Sequence, residues 1–419
     1  MTSLVEPTTW AERYPEVMAA PAMVESCTSP EYFRLEKERL FKKVWLCIGR
    51  EESVTEPGQY FVKEVAACDA SVLVARAQDG VLRAFHNVCR HRGNKLVWED
   101  GCGAARSFVC TFHGWAFRPD GRLVGVPAED QFRDFDRAQH GLAPISLDVW
   151  EGFVFINFDP EPAQTLAEFM GEFGESLRGY PFGEKIRAFG YSATVKANWK
   201  LVMDAFQEFY HVAFIHKRSL GPTTKSRENP FSNPLSITLY DLHRQISGYA
   251  NPEYTPTRTE MAAALGGNTM SAELAADALT QRVKGEGLPH GVNPTRQPTW
   301  SFDVDVFFPN VLLDVFEGLY FKQEFWPVSE DETYWEINVY VPPGATAGML
   351  FAGEHGKVEL RDSILEDFAT LERTQTGLRS GSLKELVLQD SELALRHQYK
   401  VVEDFVQYFN RPGNGEARS

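Results

Sequence analysis

The chain has 419 residues, a formal net charge of −16 and a hydrophobic content of 43% that includes 30 phenylalanines. That much apolar material excludes a disordered chain, and the acidity argues against a general binder of nucleic acid or of anionic membranes. No run approaches 18 apolar residues, so no membrane-spanning segment is expected.

Length allows two or three domains, or one large domain with an inserted module. The opening MTSLVEPTTWAERY has neither the basic nor the apolar region of a signal peptide. Six cysteines (Cys27, Cys47, Cys68, Cys89, Cys102 and Cys110) do not make a secreted disulfide scaffold at this length. A reducing, cytoplasmic setting is expected, where clustered cysteines hold metal more often than they pair.

In chain order, Ser29-Pro30 reads as an N-cap with proline at the first helical position. Phe33, Leu40, Phe41 and Val44 give that helix an apolar stripe to about Trp45. From there to about Asp159 the pattern becomes short alternating runs, predicted as strands at 60–62, 70–74, 81–82, 107–109 and 152–156. Pro57-Gly58, Asp79-Gly80 and Pro119-Asp120-Gly121 punctuate them as turns. Asp159-Pro160-Glu161-Pro162 reads as an exit linker.

Beyond it, helices are predicted over 198–214, 359–378 and 392–409. Antiparallel strands are predicted at 301–306, 311–316, 319–326 and 333–341. The Pro-, Gly-, Thr- and Ala-rich stretch 251–299 reads as a lid or irregular insertion. The boundaries drawn are 1–45, 46–160 and 161–419.

Two constellations carry chemistry. The β module holds Cys89-Arg90-His91 and Cys110-Thr111-Phe112-His113, with 18 residues between the halves. Zinc sites favour like ligands within each half, whereas here each half is mixed. A mixed pair suits a [2Fe–2S] cluster with one iron on two thiolates and the other on two imidazoles. A structural zinc and four unrelated core residues are the alternatives. Cys102 lies outside the pattern, as an expected free thiol, and Cys27, Cys47 and Cys68 read as small buried residues. Between residues 83 and 122 seven cations face three acids (Glu99, Asp100 and Asp120), a local excess of +4. That excess reads either as solvated loop surface or as a docking patch for an acidic electron donor.

The second constellation runs from Asn198 to His216. Asp204, Glu208 and His211 step by four and three on one helical face. His216, five beyond His211, is turned by about 140° on an ideal helix. Both imidazoles reach one metal only if the helix ends or bulges between them. A distant carboxylate would complete a two-His-one-carboxylate set with open positions. The helix from 360 offers one: Leu360, Ile364, Asp367, Leu371, Thr374 and Leu378 form a stripe, and Asp367 occupies an apolar slot. Its neighbour Glu366 is expected to point elsewhere, toward solvent.

The sequences CRHRGNKL and CTFHGWAFRPDGRL, the NWK…E-x2-H-x4-H segment and Glu366-Asp367…Glu372 closely resemble Rieske non-haem iron oxygenases, specifically the large (α) subunit of aromatic-ring-hydroxylating oxygenases. The resemblance implies an α+β chain in which an all-β Rieske [2Fe–2S] domain precedes a helix-grip (START/Bet v 1-like) catalytic domain. That domain has a curved antiparallel sheet, on which the N-terminal helix packs. It implies that Cys89, His91, Cys110 and His113 hold the cluster, and that His211, His216 and Asp367 hold mononuclear Fe(II). Glu208 falls where the family places an acidic bridge to the neighbouring subunit's cluster. Asp204 reads as a group near the iron or as a helix-surface carboxylate.

The function implied is a terminal oxygenase that takes electrons from NAD(P)H through a reductase, with or without a ferredoxin. It would mono- or dioxygenate, or oxidatively dealkylate, a small aromatic or otherwise apolar substrate. A homotrimeric ring is implied, with a β subunit left open. Glutamate at 208 also resembles the members acting on quaternary amines. A Rieske electron carrier with a non-catalytic ligand-binding domain is the rival reading. Phe302, Phe307, Phe308, Pro309, Asn310, Leu312 and Phe316 are candidates either for the pocket wall or for sheet core.

Overall fold

The computed structural model describes residues 9–98, 101–266, 285–344 and 346–409. They form two compact units: Lys37–Phe169, and the described residues of Met1–Glu36 with Met170–Ser419.

In the first unit the chain runs through β1 (Leu46–Arg50), β2 (Gln59–Val65), β3 (Ala70–Arg76), β4 (Leu82–His86) and β5 (Gly101–Ala104). Then come β6 (Phe108–Val109), β7 (Ala116–Phe117), β8 (Leu123–Gly125), β9 (Pro144–Trp150) and β10 (Phe153–Asn157). Seven strands pair in the order β1-β10-β9-β4-β3-β2-β5, and β6-β7-β8 form a small second sheet. Alternation buries Leu73, Phe85, Phe108, Trp115, Phe117 and Leu123 in one core that joins the two sheets.

The second unit is built on a seven-stranded antiparallel sheet. Its strands are β11 (Ile186–Val195), β12 (Ser236–Leu239), β13 (Arg244–Tyr249), β14 (Trp300–Phe307), β15 (Val311–Val315), β16 (Tyr320–Ser329) and β17 (Glu332–Val341), in the order β11-β17-β16-β15-β14-β13-β12. Its helices include α1 (Pro30–Glu36), α2 (Leu166–Leu177, shared across the unit boundary), α3 (Trp199–Asp204), α4 (Ala347–Leu378) and α5 (Leu393–Val406). Among the described residues, no helix is long and apolar enough to cross a membrane.

Several expectations change. Ser29 does cap α1, its Oγ accepting the Tyr32 N–H at 3.2 Å. The helix ends at Glu36, however, and continues as a π turn over Lys37–Phe41, where the unit boundary falls. The other boundary lies inside α2, beside Gly171, whose φ of 46° breaks the helix. On α4 the buried slot belongs to Gln375 rather than the expected Thr374. Helix formation over 258–266 and turns from 285 occupy part of the predicted insertion; residues 267–284 lie outside the described residues.

The NWK segment is a buried polar network. The Asn198 side chain accepts the Lys200 N–H, and its own N–H donates to Gln375 Oε1 at 2.9 Å. Lys200 Nζ and Trp199 Nε1 both donate to the Glu36 carboxylate, at 2.6 and 3.1 Å. Glu36 and Lys200 are both fully buried.

Candidate active site

The cluster candidates sit on two similar turns. Cys89 N–H donates to the Asn94 carbonyl and Gly93 N–H to that of Cys89; Cys110 N–H donates to Trp115 and Gly114 N–H to Cys110. Gly93 and Gly114, at φ of 78° and 73°, supply the left-handed step that lets each loop fold back. Both thiols are buried. Burial dominates at Cys89 and raises its pKa. At Cys110 burial also works upward, but hydrogen bonds from the amides of Phe112 and His113, together with those of Cys89 and Asn94, outweigh it and hold the thiol below its ordinary value.

The rings of His91 and His113 lie 4.6 Å apart, and His91 stacks on Trp115 at 5.0 Å. Among the described residues, both Nδ1 atoms are buried without a hydrogen-bond partner. Two buried thiols beside two orphaned imidazole nitrogens fit a cluster held by two thiolates and two imidazoles. Cys102 is exposed and free, whereas Cys27, Cys47 and Cys68 are buried.

The positive surface is weaker than the residue count implies. Lys95 pairs with Glu64, Arg83 with Asp79 and Arg122 with Asp120, at 2.7, 2.8 and 2.6 Å. Glu64 on β2 and Asp79 in the β3–β4 turn lie outside the counted window, yet they pair with cations inside it. Glu99 and Asp100 fall outside the described residues.

In the second unit the expected helix over 198–214 stops early: α3 ends at Asp204, and only a 3-10 turn, Tyr210–Ala213, follows. Tertiary bonds compete with the helix here. Asp204 Oδ2 accepts from Tyr399 Oη at 2.8 Å and its Oδ1 from Gln398 at 3.1 Å, while buried Gln207 accepts from Arg244 at 2.6 Å. Asp204, Glu208 and His211 therefore do not share a helical face. Asp204 belongs to this buried network, where desolvation pushes its pKa up to about 7. Its burial excludes the helix-surface reading.

With the helix ended, His211 and His216 converge on Asp367 from α4. One ligand-capable atom from each of the three lies within 4.8 Å of the other two. His211 Nε2 and His216 Nε2 stand 3.7 and 3.1 Å from Asp367 Oδ1. Among the described residues that oxygen is buried without a hydrogen-bond partner, as suits acceptors facing a shared cation.

The opposite nitrogens are engaged. Glu208 Oε1 takes His211 Nδ1, while its Oε2 accepts the backbone N–H groups of Tyr210 and His211. Glu366 Oε2 accepts from His216 Nδ1 at 2.8 Å and from Ser219 Oγ at 2.6 Å. Each carboxylate fixes an Nδ1–H tautomer and aims the Nε2 lone pair at Asp367. The expectation for Glu366 is thus corrected: it orients a candidate ligand. Its place outside the apolar stripe gave no sequence signal, since surface glutamates on helices look the same.

A cavity opens beside these three residues, walled by Phe206, Phe209, Phe302, Phe316, Phe321 and Ile337. Phe302 and Phe316 stack at 4.9 Å. Of the predicted pocket residues only these two line it. Phe307 packs on Phe173 and Phe308 on Phe405, as sheet and helix core.

The Ring hydroxylating alpha subunit (catalytic domain) family matches residues 184–408, and the Rieske [2Fe-2S] domain family matches 44–139. Among curated proteins, the carnitine monooxygenase oxygenase subunit of Acinetobacter pittii (strain PHEA-2) is 33% identical, over 45% of this chain and 50% of that protein. The large oxygenase component of the naphthalene 1,2-dioxygenase system of Pseudomonas aeruginosa is 34% identical, over 48% of this chain and 45% of that protein. The matches therefore span about half the length of these relatives. A crystal structure of a quaternary ammonium Rieske monooxygenase in complex with L-carnitine shares the fold, with a TM-score of 0.71 at 21% identity, over 92% of this chain and 96% of that one. The chain belongs to the Rieske non-haem iron oxygenase α-subunit family, with a Rieske [2Fe–2S] domain and a catalytic domain of the kind that binds mononuclear iron.

Proposed function

We propose that the chain is the terminal oxygenase component of a multicomponent Rieske oxygenase, oxygenating or oxidatively dealkylating a small organic substrate. The observation that best supports this is the presence on one chain of two donor sets of different chemistry, one opening on an apolar cavity. Bound there, a [2Fe–2S] cluster would pass single electrons and Fe(II) would supply O2 activation. In this reading Cys89, His91, Cys110 and His113 hold the cluster, while His211, His216 and Asp367 hold the iron. Glu208 and Glu366 orient the imidazoles, and the phenylalanine walls exclude water around the substrate.

NAD(P)H electrons would arrive through a separate reductase, with or without a ferredoxin, because the sequence has no G-x-G-x-x-G fingerprint. The assembly proposed is a head-to-tail trimer in which each cluster serves the neighbouring subunit's iron. Glu208, held against His211, would be the bridging carboxylate. The setting proposed is the cytoplasm. A quaternary-amine substrate is a second reading, favoured by the ring faces of the cavity, which suit a cation.

Turnover of a substrate panel under 18O2, with a surrogate reductase, tests the reading. Label in the product supports it and separates one-atom from two-atom insertion. A fully loaded chain with about two irons instead of about three would favour the electron carrier. Glu208→Gln is expected to slow single-turnover oxidation of the reduced cluster by about tenfold or more, with both metals retained. An unchanged rate would remove the bridging role.

A further inference from the structure

The polar groups of the cavity wall are not all accounted for by metal binding. Thr223 and Thr224 donate to the Leu220 carbonyl, at 2.7 and 3.1 Å. Gln323 is used at both ends: its Oε1 accepts from Trp335 Nε1 at 3.1 Å, and its Nε2 donates to Asp314 Oδ2 at 2.9 Å. Three groups are left. Ser301 Oγ and Ser363 Oγ are buried without partners, and the other Asp314 oxygen forms no hydrogen bond among the described residues.

Asp314 stands out because the β15 register gives it an apolar slot. It lies opposite Val304 on β14 and Phe321 on β16, and all three line the cavity. No cation contacts its carboxylate among the described residues. Burial accordingly holds its pKa up at about 7, so the group can donate or accept near neutrality. A carboxyl in such a slot is shielded from bulk solvent and favours a hydrogen-bond partner. The Trp335–Gln323 relay fixes its orientation and leaves one oxygen for a ligand.

We propose that Asp314 is a specificity-determining residue of this cavity, its carboxyl receiving an O–H or N–H group carried by an otherwise apolar substrate. This rests on the oxygenase reading for the cavity being the substrate site. Ser301 on β14 and Ser363 on α4 supply further hydrogen-bond capacity around the cavity. A fully methylated head group offers no donor to the carboxyl, so the proposal separates donor-bearing substrates from quaternary amines.

Calorimetric titration of the iron-loaded chain with matched probes tests it. 4-Propylphenol is compared with 4-propylanisole, and 4-propylbenzylamine with its N,N,N-trimethyl analogue. The donor-bearing member of at least one pair is expected to bind about tenfold or more tightly, and which pair shows it separates hydroxyl from amine. Asp314→Leu should erase that preference, and Asp314→Asn should lose it too, because Gln323 Nε2 takes the single amide oxygen and turns the NH2 toward the ligand. The Rieske absorption and iron content serve as controls for folding. Equal binding within both pairs, no binding by either donor-bearing probe, or a preference surviving in Asp314→Leu would overturn the proposal. Failure of the oxygenase reading registers separately, as missing mononuclear iron or no substrate-dependent O2 uptake.

Discussion

The two donor sets are built in opposite ways. The Cys/His set comes from two tight turns 18 residues apart, each carrying one thiol and one imidazole on a glycine-closed loop. The His/Asp set joins residues more than 150 positions apart and depends on a helix that stops, a second helix that supplies Asp367, and two carboxylates that turn the imidazoles. The first is local and carries its geometry in its own turns. The second exists only when the surrounding unit is folded, so damage to that scaffold should reach the metal.

The sharpest test of this contrast is Asp367→Ala. It is expected to abolish turnover and to lower iron from about three to about two per chain, with the Rieske spectrum intact. Loss of the spectrum as well would show that the sets are not independent. Next is Glu36→Ala, which leaves the Lys200 ammonium buried without its carboxylate. A loss of about 3–5 kcal/mol is expected for the catalytic unit in denaturant titration, with the Rieske absorption unaffected at low denaturant.

Glu366→Ala is a smaller change. It frees the His216 ring to rotate and should weaken mononuclear iron binding by about 10- to 100-fold, measured by chelator competition. An unaltered affinity would leave Glu366 a surface residue after all.

The mildest effect is on pH dependence. Burial raises Asp314 from the ordinary carboxyl range to about 7, so the folded chain keeps a proton that the unfolded chain releases. Stability contributed by this group is full below about pH 4, falls as pH rises to about 7, and changes no further above. Asp314→Asn should therefore flatten the fall in melting temperature between pH 5 and pH 7. An identical slope in the variant would contradict it. Asp204 and Asp303, also raised to about 7 by burial, would keep part of the slope.

The same contrast explains what was legible in the sequence. Cys89, His91, Cys110 and His113 could be read from spacing because their geometry is set within a few residues. His211 and His216 were readable as a pair, and Asp367 as a polar intruder in an apolar stripe. The end of α3 was not readable, because Arg244, Gln398 and Tyr399 compete with the helix from far along the chain. Strands β11, β12 and β13 escaped detection, since β11 is largely half-exposed and β13 carries buried Arg244, Gln245 and Ser247. Asp314 and Gln323 looked like ordinary polar residues in strands, and only the sheet register shows which side of the sheet they take.

The buried Glu36–Lys200 pair also bears on how the chain is made. Glu36 is the last residue before the intervening unit, and its partner lies 164 positions later. Tyr32, on the same short helix, donates to Glu403 at 3.1 Å, near the other end of the chain. During synthesis the first residues must therefore wait, with a carboxylate and an aromatic face still exposed, while the Rieske unit emerges and can fold ahead of them. Only when α5 arrives does the catalytic unit close around both. A ribosome-bound chain would thus carry the cluster domain's fold well before it had anywhere to send an electron.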